Sequence, residues 1–504
     1  MKLQFAQIPG VRILKSFGPE SVDIQAIVYN SSAARNGSAF FCVVGENTDG
    51  HLYIEPAIEN GAQAIIGSNE EILSHQAKRY PSVSFVLVAD VRNALAHTSD
   101  FFFGSPQHDL FKIGVTGTNG KTTTATYARN LFNLLGTPCG FIGTTGVETA
   151  QGKVPFEKST PTTPIASDIH QIFSMLVDAD TQAVAMEVSS TALDQQRVEG
   201  IIFDVAIHTN LSEEHLEYHK TFEHYRESKL KLFERAKAAV VNLDDPGLSG
   251  GILAVADYPV LSYSQDPSSG ADLIWGNYSA SAQGMRFELN YRGDIRIIEA
   301  PLFGDYNAAN LTAAIATALH AGHSIDQIIA VLPDMPQVEG RFQVIRGPEE
   351  RTIILDYAHT PVAIDAVLAE ARKLPHRRLI ALIAGIGIRD FAKMPKMAKA
   401  SEGKADVLVV TVDHPGYNDP EEVVSEVIKG FSVPYMQKVL KAPTRKQAVE
   451  KALAESGPED IILLSSGCIN GAQIIKGEHI PHSDEAIIEA SFFGWNVFNR
   501  REAN

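Results

Sequence analysis

The sequence contains few cysteines, a deficit of basic residues and no long apolar run. Only 3 of the 504 residues are cysteines, namely Cys42, Cys139 and Cys468, and their spacing fits neither a CxxC motif nor a zinc site. The 43 Lys and Arg residues against 60 Asp and Glu residues give a formal charge of -17, which provides no electrostatic attraction for nucleic acids or anionic membranes. The longest apolar runs, such as residues 379–388, are well short of the roughly 20 residues of a membrane span.

What the chain does contain favours a folded protein of a reducing compartment. With 44% hydrophobic residues, 25 prolines and 38 glycines, it is neither collagen-like nor largely disordered. Its N-terminal residues lack the apolar core of a signal peptide. We therefore expect a cytoplasmic, monomeric protein without a nucleic-acid or membrane partner.

The alternation of strand-like and helix-like segments predicts an α/β fold with three domains. Residues 1–108 have the pattern of a small α/β domain. Residues 109–342 alternate apolar strands with helices, which predicts a parallel sheet covered on both faces, with an antiparallel insertion near residues 271–300. Residues 343–504 repeat the alternation, so we expect a third, Rossmann-like α/β domain.

The most informative segment is a strand, a glycine turn and a helix over residues 112–123, KIGVTGTNGKTT. Such a turn aims backbone N–H groups and a helix N-terminus at a polyphosphate, while Lys121 neutralises the phosphates and the Thr122 hydroxyl holds Mg²⁺. Val115 stands where the strict Walker pattern has glycine, so this is a variant P-loop in which Gly117 lies closer to Gly120. The expected nucleotide contacts are Gly117, Thr118, Asn119, Gly120, Lys121, Thr122 and Thr123.

A carboxylate that shares the metal ion is expected beside this loop. Glu187 ends the apolar segment 183–188, at the carboxyl edge where open α/β sheets bind ligands. Alternatively, Glu187 pairs with a lysine or caps Ser189 and Ser190.

A series of motifs, in this order, resembles the Mur ligase family and covers nearly the whole chain. The motifs are TGTNGKTT, TTP (162–164), EVSS (187–190), HTNLSEEHLEYH (208–219), YRESKLKLF (225–233), GDYNAAN (304–310), EGRF (339–342) and DYAHTP (356–361). Residues 38–67 look most like the branch of this family that adds the third amino acid to the stem peptide of peptidoglycan.

The resemblance implies ATP- and Mg²⁺-dependent formation of an amide bond in peptidoglycan precursor synthesis. A carboxylate of a UDP-MurNAc-peptide would attack the γ-phosphate of ATP to give an acyl phosphate, and the amine of an amino acid would then displace phosphate. Catalysis would depend mainly on positioning and electrostatics. The three domains would bind the UDP-sugar, ATP and the amino acid, respectively.

The resemblance also implies a set of catalytic residues: Lys121, Glu187, His215 and Lys229. Glu187 and His215 match magnesium ligands, and Lys229 matches a lysine that is carbamylated to become an anionic ligand. An ammonium group would repel Mg²⁺, whereas a carbamate supplies the oxygens that a hard cation prefers. Charge pattern alone favours a solvated Lys229 on a helix and a hydrogen-bonded structural His215.

Further residues match nucleotide and substrate contacts of the family. Asn307, Arg341 and Asp356 match contacts to adenine, phosphate and ribose, although a helix cap, a surface ion pair and a strand end are ordinary alternatives. The expected contacts to the UDP-sugar and peptide are Ser31, Glu46, Asn47, Thr48, Thr162, Thr163, Ser189, Gln195 and Arg197. The planar fork of Arg197 would suit a carboxylate or pyrophosphate.

The third domain departs from the family pattern. The branch that uses diaminopimelate carries DNPR and a GKGHE-like motif, whose arginine and glutamate bind the distal end of the amino acid. Here the segments are DHPG (413–416) and SGCIN (466–470), which predicts a smaller or less charged amine, with Asp413 still able to accept one ammonium hydrogen bond. Arg389 matches the arginine for the α-carboxylate. The expected amino-acid contacts are Arg389, Asp413, His414, Gly416 and Asn470.

Two alternatives stay open. A paralogue in another pathway would ligate a different carboxylate and amine, and the two lost charges at Gly416 and Asn470 favour it. A non-catalytic nucleotide-binding protein would keep the phosphate loop without turnover. The joint presence of Lys121, Glu187, His215 and Lys229 argues against this second alternative.

Overall fold

The computed structural model describes residues 1–45, 48–281, 283–466 and 471–492, which form two compact units. The first unit comprises Met1–Leu273 with Thr312–Ile328, and the second comprises Ile274–Leu311 with the chain from Ile329 onward. Each unit contains largely parallel sheets covered by helices, which confirms the predicted α/β fold class. The domain boundaries at residues 108 and 342 stay a prediction. Over the described residues, we find no helix with the length and hydropathy needed to cross a membrane.

The N-terminal part of the first unit is a small α/β layer structure. Strands β1 to β7 are Lys2–Leu3, Ile13–Phe17, Val22–Asp23, Ala26–Val28, Ser38–Phe41, Ala62–Gly67 and Ser84–Val88, and helices α1 to α3 are Ile54–Glu59, Glu70–Arg79 and Val91–Phe102. Five strands form one sheet in the order β2-β7-β6-β5-β4, parallel except for β2. Because every residue of β5 and β7 is buried, both faces of the sheet carry apolar side chains.

The rest of the first unit contains the predicted phosphate-binding sheet. Strands β8 to β15 are Phe111–Thr116, Cys139–Gly143, Gly146–Thr149, Gly152–Val154, Ala183–Glu187, Val205–His208, Ala239–Asn242 and Val260–Ser264, and helices α4 to α9 are Lys121–Leu134, Ala166–Asp178, Ser190–Asp194, Leu216–His219, Phe222–Leu230 and Pro246–Val255. The parallel strands follow the order β9-β12-β8-β13-β14-β15. The carboxyl ends of β12, β8 and β13 are therefore neighbours, and their loops build one site.

An antiparallel insertion and two helices follow. They are β16 (Leu273–Ser281), β17 (Gly284–Tyr291), β18 (Asp294–Ala300), α10 (Asp305–His320) and α11 (Ile325–Val331). β17 pairs with β18 in antiparallel register, as the alternating apolar pattern predicts.

The C-terminal part of the second unit is built on a six-stranded sheet. Strands β19 to β26 are Gln343–Arg346, Thr352–Asp356, Leu379–Ile386, Val407–Asp413, Leu440–Lys441, Ile461–Ser465, Ala472–Ile475 and Glu478–Pro481, and helices α12 to α17 are Pro361–Lys373, Met394–Ser401, Pro420–Ile428, Val433–Met436, Arg445–Glu455 and Asp484–Phe492. The order is β19-β20-β24-β21-β22-β23, parallel except for β19. β25 and β26 form a separate hairpin.

Candidate active site

The phosphate loop turns from β8 into α4 through two glycines in left-handed or related conformations. Gly117 has φ 152°, and a Cβ at this position would overlap the Thr209 hydroxyl. Gly120 has φ 80° and is the N-cap of α4. Both conformations favour glycine, so the shape of the turn explains these two letters of the motif. The turn presents the N-terminal end of α4, whose first N–H groups are suited to an anion.

The segment that follows β13 holds the phosphate loop in place. The carbonyl oxygen of Asn210 accepts the N–H of Thr118 at 2.8 Å, and its side-chain Oδ1 accepts the N–H of Asn119 at 2.9 Å. Thr209 donates its hydroxyl to the carbonyl oxygen of Asn119 at 2.6 Å. The sequence analysis gave neither Thr209 nor Asn210 a role. Their position directly after β13, the neighbour of β8, is the signal that could have found them.

Two lysines converge on the phosphate loop. Lys121 donates to the carbonyl oxygens of Gly117 and Thr118, both at 2.9 Å. Lys229 in α8 donates to the carbonyl oxygen of Gly117 at 2.8 Å, and its Nζ lies 4.6 Å from the ring centroid of Tyr225. Only 1% of Lys229 is exposed, so the alternative of a solvated lysine is wrong.

The environment of Lys229 disfavours its charged form. Burial, followed by the charge of Lys121, holds the pKa of the Lys229 ammonium well below its usual range. A neutral amine is the form that adds CO₂, so the site is suited to the carbamate that the family resemblance implies.

Glu187 lies at the end of β12 as expected. Its Oε1 accepts the N–H of Thr144 at 2.7 Å, and its Oε2 lies 3.4 Å from the hydroxyl of the same residue. A Cβ on Gly143 would overlap this carboxylate, so Gly143 gives it room. The N-cap of α6 is Ser189, whose own hydroxyl accepts the N–H of Ala192, so Glu187 does not cap this helix.

His215 immediately precedes α7 and has φ 57°. Half of its side chain is exposed, and its Nδ1 lies 3.4 Å from a carboxylate oxygen of Glu217. Burial of the rest of the ring is the main cause that lowers the pKa of His215, and the charge of Lys121 adds to it. His215 therefore lies within the electrostatic reach of the phosphate loop.

The donor set can be compared with what Mg²⁺ requires. Within residues 1–45, 48–281, 283–466 and 471–492, no three His, Cys, Asp or Glu side chains form a metal-binding cluster. The hydroxyl of Thr122 and the carboxylate of Glu187 are oxygen donors of the kind that Mg²⁺ prefers. Lys229 as an amine supplies no oxygen, so it fits this set only as its carbamate.

The predicted peptide and sugar contacts of the first unit share one hydrogen-bond network. The hydroxyl of Thr163 donates to the carbonyl oxygen of Glu187 at 2.9 Å and accepts the N–H of Ser189 at 3.0 Å. Arg197 donates to the carbonyl oxygen of Thr163 at 2.8 Å and to Oε1 of Gln195 at 2.8 Å. The structure thus brings Thr163, Ser189, Gln195 and Arg197 together.

Thr162 lies next to the same network, because its hydroxyl is 3.4 Å from that of Thr144, which contacts Glu187.

Arg92, in the first turn of α3, is a residue near the predicted uridine contacts to which the sequence analysis gave no role. Arg92 donates to the carbonyl oxygen of Val44 at 2.9 Å, next to the predicted uridine loop.

The predicted uridine contacts lie in the N-terminal part. Ser31 follows the N-cap Asn30, and its carbonyl oxygen accepts a hydrogen bond from Asn60 at 2.9 Å. Thr48 donates its hydroxyl to Tyr53 at 3.2 Å. The two remaining members, Glu46 and Asn47, lie outside the described residues.

The second unit holds the predicted adenosine contacts. Asn307 in α10 is buried and donates to the carbonyl oxygen of Phe303 at 2.7 Å. Asp356 ends β20 and accepts the N–H groups of Phe342 and Ala358, each at 2.8 Å. Burial raises the pKa of Asp356, against the charge of Arg341.

Arg341 itself lies 5.3 Å from the ring centroid of Tyr357. The motifs EGRF and DYAHTP therefore contact each other, since Arg341 and Phe342 of the first meet Asp356 and Tyr357 of the second.

The predicted amino-acid contacts lie in loops at the carboxyl edge of the six-stranded sheet. Asp413 ends β22, is buried, and accepts hydrogen bonds from the N–H of His414 at 3.0 Å and the amide of Gln473 at 2.9 Å. This carboxylate thus joins two parts of the protein, and its contact with a substrate ammonium group stays a prediction. Arg389 is exposed after β21. Asn470 lies outside the described residues.

His414 and Gly416 fix the shape of the loop after β22. Nδ1 of His414 accepts the N–H of Ile474 at 3.0 Å, and the N–H of Gly416 donates to the carbonyl oxygen of Ile474 at 3.0 Å. Gly416 has φ 63°, and a Cβ there would lie 2.6 Å from Cγ2 of Ile388. An arginine at position 416 would therefore be strained.

Three models of one protein family match successive parts of the chain. Residues 23–103 match the model of the Mur ligase family, catalytic domain, residues 115–318 match the Mur ligase middle domain, and residues 340–468 match the Mur ligase, glutamate ligase domain.

Individual proteins match over most or all of the chain. The UDP-N-acetylmuramoyl-L-alanyl-D-glutamate–2,6-diaminopimelate ligase of Geobacillus kaustophilus (strain HTA426) is 35% identical over 495 residues, which cover 96% of this chain and 98% of that protein. A solved structure of a ligase with the same name aligns with a TM-score of 0.69 at 26% identity and covers 100% of both chains. The MurF ligase of Thermotoga maritima in complex with ADP shares the fold, with a TM-score of 0.59 at 20% identity over 88% of this chain and 94% of that one. The chain belongs to the Mur ligase family.

Proposed function

We propose that this chain is an ATP-dependent ligase that forms an amide bond between a carboxylate of a UDP-MurNAc-peptide and the amine of an amino acid. Membership of the Mur ligase family and the names of its relatives support a peptidoglycan precursor ligase. The observation that carries the proposal is the phosphate loop, on which Lys121 and the buried Lys229 meet at the carbonyl oxygen of Gly117.

The first step transfers the γ-phosphoryl group of ATP to the substrate carboxylate. A carboxylate oxygen bonds to the γ-phosphorus, and the bond from that phosphorus to the bridging oxygen of the β-phosphate breaks. ADP is the leaving group, and the substrate becomes an acyl phosphate. Lys121, held by the carbonyl groups of Gly117 and Thr118, would stabilise the charge on the transferring group. The remaining contacts to the nucleotide would come from Gly117 to Thr123 of the loop and from Asn307, Arg341 and Asp356.

In the second step the amine nitrogen attacks the acyl carbon. The bond from this carbon to the phosphate oxygen breaks, phosphate leaves, and the nitrogen gives up a proton to become an amide. Arg197 is held by Thr163 and Gln195, so its guanidinium is pre-positioned to bind a carboxylate or pyrophosphate of the acceptor.

The acceptor would contact both parts of the first unit. Thr162, Thr163, Ser189, Gln195 and Arg197 would hold the peptide and sugar. The uridine end would contact Ser31, Glu46, Asn47 and Thr48.

The proposed ligands of Mg²⁺ are Thr122, Glu187, His215 and the carbamate of Lys229. When bound, Mg²⁺ would neutralise phosphate charge and help to orient the phosphoryl group. The chain prepares this set in two ways: Gly143 leaves room for the Glu187 carboxylate, and burial lowers the pKa of Lys229, which favours its neutral form.

We also propose that the enzyme works as a monomer in the cytoplasm. The free thiols of Cys42 and Cys139, both buried, agree with a reducing compartment.

The proposal is tested by measuring ADP and phosphate from ATP, Mg²⁺ and UDP-MurNAc-L-Ala-D-Glu with a panel of amino acids, while product masses are followed. We expect one new adduct for each ATP consumed, and we expect Lys121→Ala to abolish turnover. Intact ATP binding without any adduct across the panel would contradict the proposal and favour a paralogue with another carboxylate substrate.

A further inference from the structure

Two apolar side chains are exposed at the carboxyl edge of the six-stranded sheet in the second unit. Ile388, just after β21, is 46% exposed, and Tyr417, in the loop after β22, is 83% exposed. They flank Gly416, whose lack of a side chain lets Ile388 approach closely. Open α/β sheets bind their ligands at this edge. Exposed apolar side chains at this edge therefore indicate a binding surface, whereas isolated ones elsewhere on the surface are ordinary.

Arg389 adds a group that binds anions to the same edge. It directly follows Ile388 and is exposed, and within the described part of the chain its guanidinium makes no hydrogen bond or ion pair. An exposed guanidinium can bind a carboxylate through two parallel hydrogen bonds. The edge thus offers a cation for a carboxylate beside an apolar surface.

The carboxylates of the two loops already serve donors of the protein. Asp390 accepts the N–H of Ala392 at 2.9 Å, and Asp419, the N-cap of α14, accepts the N–H of Glu421 at 2.8 Å. Asp413 is buried and holds Gln473. Each of these carboxylates thus has a role within the protein, whereas the exposed Ile388 and Tyr417 side chains that flank Gly416 have apolar surfaces to offer.

We propose that this edge binds the incoming amino acid and selects an uncharged, aliphatic side chain. Ile388 and Tyr417 contact that side chain, and Arg389 holds the α-carboxylate. The inference rests on the proposed function and specifies its amine substrate as a neutral α-amino acid, in contrast to the 2,6-diaminopimelate named for the relatives. A distal ammonium or carboxylate that lost water against the Ile388 side chain and the Tyr417 ring would gain no ion pair from either residue, which disfavours a charged side chain.

The experiment must separate this inference from the proposed function. Hydroxylamine does so, because it attacks an acyl phosphate and yields a hydroxamate and phosphate without any amino acid. Hydroxamate formation from ATP, Mg²⁺ and UDP-MurNAc-L-Ala-D-Glu therefore tests the first step alone. Hydroxylamine is then replaced by an equimolar mixture of L-alanine, L-valine, L-leucine, L-lysine and meso-2,6-diaminopimelate, and the adducts are quantified by mass spectrometry.

We expect hydroxamate in the first assay and, in the second, a neutral adduct that exceeds the lysine and diaminopimelate adducts by about tenfold or more. A predominant lysine or diaminopimelate adduct would overturn the inference, and so would hydroxamate formation without any neutral adduct. Absence of hydroxamate would overturn the proposed function, and this inference with it.

A pair of variants tests the assignment of Ile388. Ile388→Asp should lower kcat/KM for the preferred neutral amino acid about tenfold and raise the relative rate with lysine. Val433→Asp is the matched control, since it makes the same change at a side chain that is 73% exposed in α15, outside these loops. We expect Val433→Asp to keep the specificity ratio of the unmodified protein. Equal changes of the specificity ratio in both variants would rule out a role for Ile388 in selecting the amino acid.

Discussion

Lys121 and Lys229 donate hydrogen bonds to the same acceptor, the carbonyl oxygen of Gly117, at 2.9 and 2.8 Å. Two ammonium groups on one oxygen would repel each other, and Lys229 is the one that is buried. Burial and the charge of Lys121 both lower the pKa of Lys229, which favours the neutral form of this amine. The phosphate loop is thus next to an amine whose surroundings favour its uncharged, nucleophilic form.

Replacing Lys229 should remove most of the activity. We expect Lys229→Ala to lower kcat about 100-fold or more, as the loss of one group that stabilises transition-state charge does elsewhere. Short carboxylic acids should restore part of the activity, because they can supply the missing oxygens. The measurement is phosphate release with and without added acetate or propionate.

Carbamate formation has a readout that does not depend on turnover. Protein equilibrated with ¹³C-bicarbonate should show a carbamate resonance that disappears in Lys229→Ala. Lys237→Ala is the matched control, because Lys237 is an exposed lysine paired with Asp204 at 2.7 Å. A resonance that persists in Lys229→Ala, or full activity of this variant, would contradict the carbamate role.

Asn210 should be as important for nucleotide binding as several residues of the loop itself. Asn210→Ala removes two side-chain hydrogen bonds, one from the N–H of Asn119 and one to its carbonyl oxygen at 3.1 Å, and each such bond contributes about 0.5–1.5 kcal/mol. We therefore expect kcat/KM for ATP to fall about tenfold, measured by steady-state kinetics at saturating acceptor. Asn277→Ala is the control, since Asn277 is an exposed asparagine of β16 whose side chain donates a hydrogen bond to Glu288 and does not contact the phosphate loop. Equal values of kcat/KM for ATP in both variants would argue against a role of Asn210 in holding the loop.

The buried strands could be predicted from the sequence because they consist of continuous apolar runs. Residues 84–88, SFVLV, are almost entirely apolar, and the strand β7 that they form is buried throughout. β2 escaped prediction because none of its five residues is buried, and β10 because only Val147 is. Edge strands of this kind lack the apolar pattern on which sequence analysis depends.

Sequence-based prediction of the active-site residues has the same limit. Gly117, Gly120 and Lys121 could be assigned because a local turn and a helix end determine their role. Asn210 could not, because its contact with Asn119 joins residues that are 91 positions apart. A single sequence carries no direct record of such tertiary contacts.

A buried carboxylate should tune nucleotide binding from within the second unit. Oε2 of Glu370 in α12 accepts the N–H of Asp305 at 3.0 Å, and Lys373 bridges to the Asp305 carboxylate at 2.6 Å. This contact fixes the start of α10, two residues before the predicted adenine contact Asn307. We expect Glu370→Ala to raise KM for ATP about three- to tenfold, because the N–H of Asp305 loses its acceptor.

The control for Glu370 lies on the same helix. Asp365→Ala removes an exposed carboxylate of α12 that pairs with Lys404. We expect KM for ATP to be unchanged in this variant, since exposed ion pairs contribute little. A normal KM in Glu370→Ala would show that the start of α10 does not depend on this contact.

A buried ion pair in the second unit should give the protein an acid-sensitive stability. Arg445 is fully buried and donates to Asp484, with Nη2 of the arginine 2.5 Å from Oδ2, while His482 contacts the same carboxylate at 2.7 Å. Burial by itself raises the pKa of Asp484, but the charge of Arg445 and these hydrogen bonds outweigh it and hold the pKa below its usual range. Asp484→Asn should therefore lower the free energy of unfolding by about 3 kcal/mol near neutral pH, since it leaves Arg445 buried without a charged partner.

The stabilisation that Asp484 provides should decrease as the pH falls. The folded-state pKa of Asp484 lies below its unfolded-state value, so the stabilisation is fully present above about pH 4 and is lost as the pH falls through the folded-state pKa. Urea unfolding of the unmodified protein and Asp484→Asn should thus give curves whose difference is constant from pH 5 to neutral and shrinks at lower pH. Asp294→Asn, which changes an exposed aspartate paired with Arg296, should shift the midpoint very little at any pH. If the difference between the unmodified protein and Asp484→Asn grew on acidification, the carboxylate could not be the ionised partner of Arg445 in the folded state.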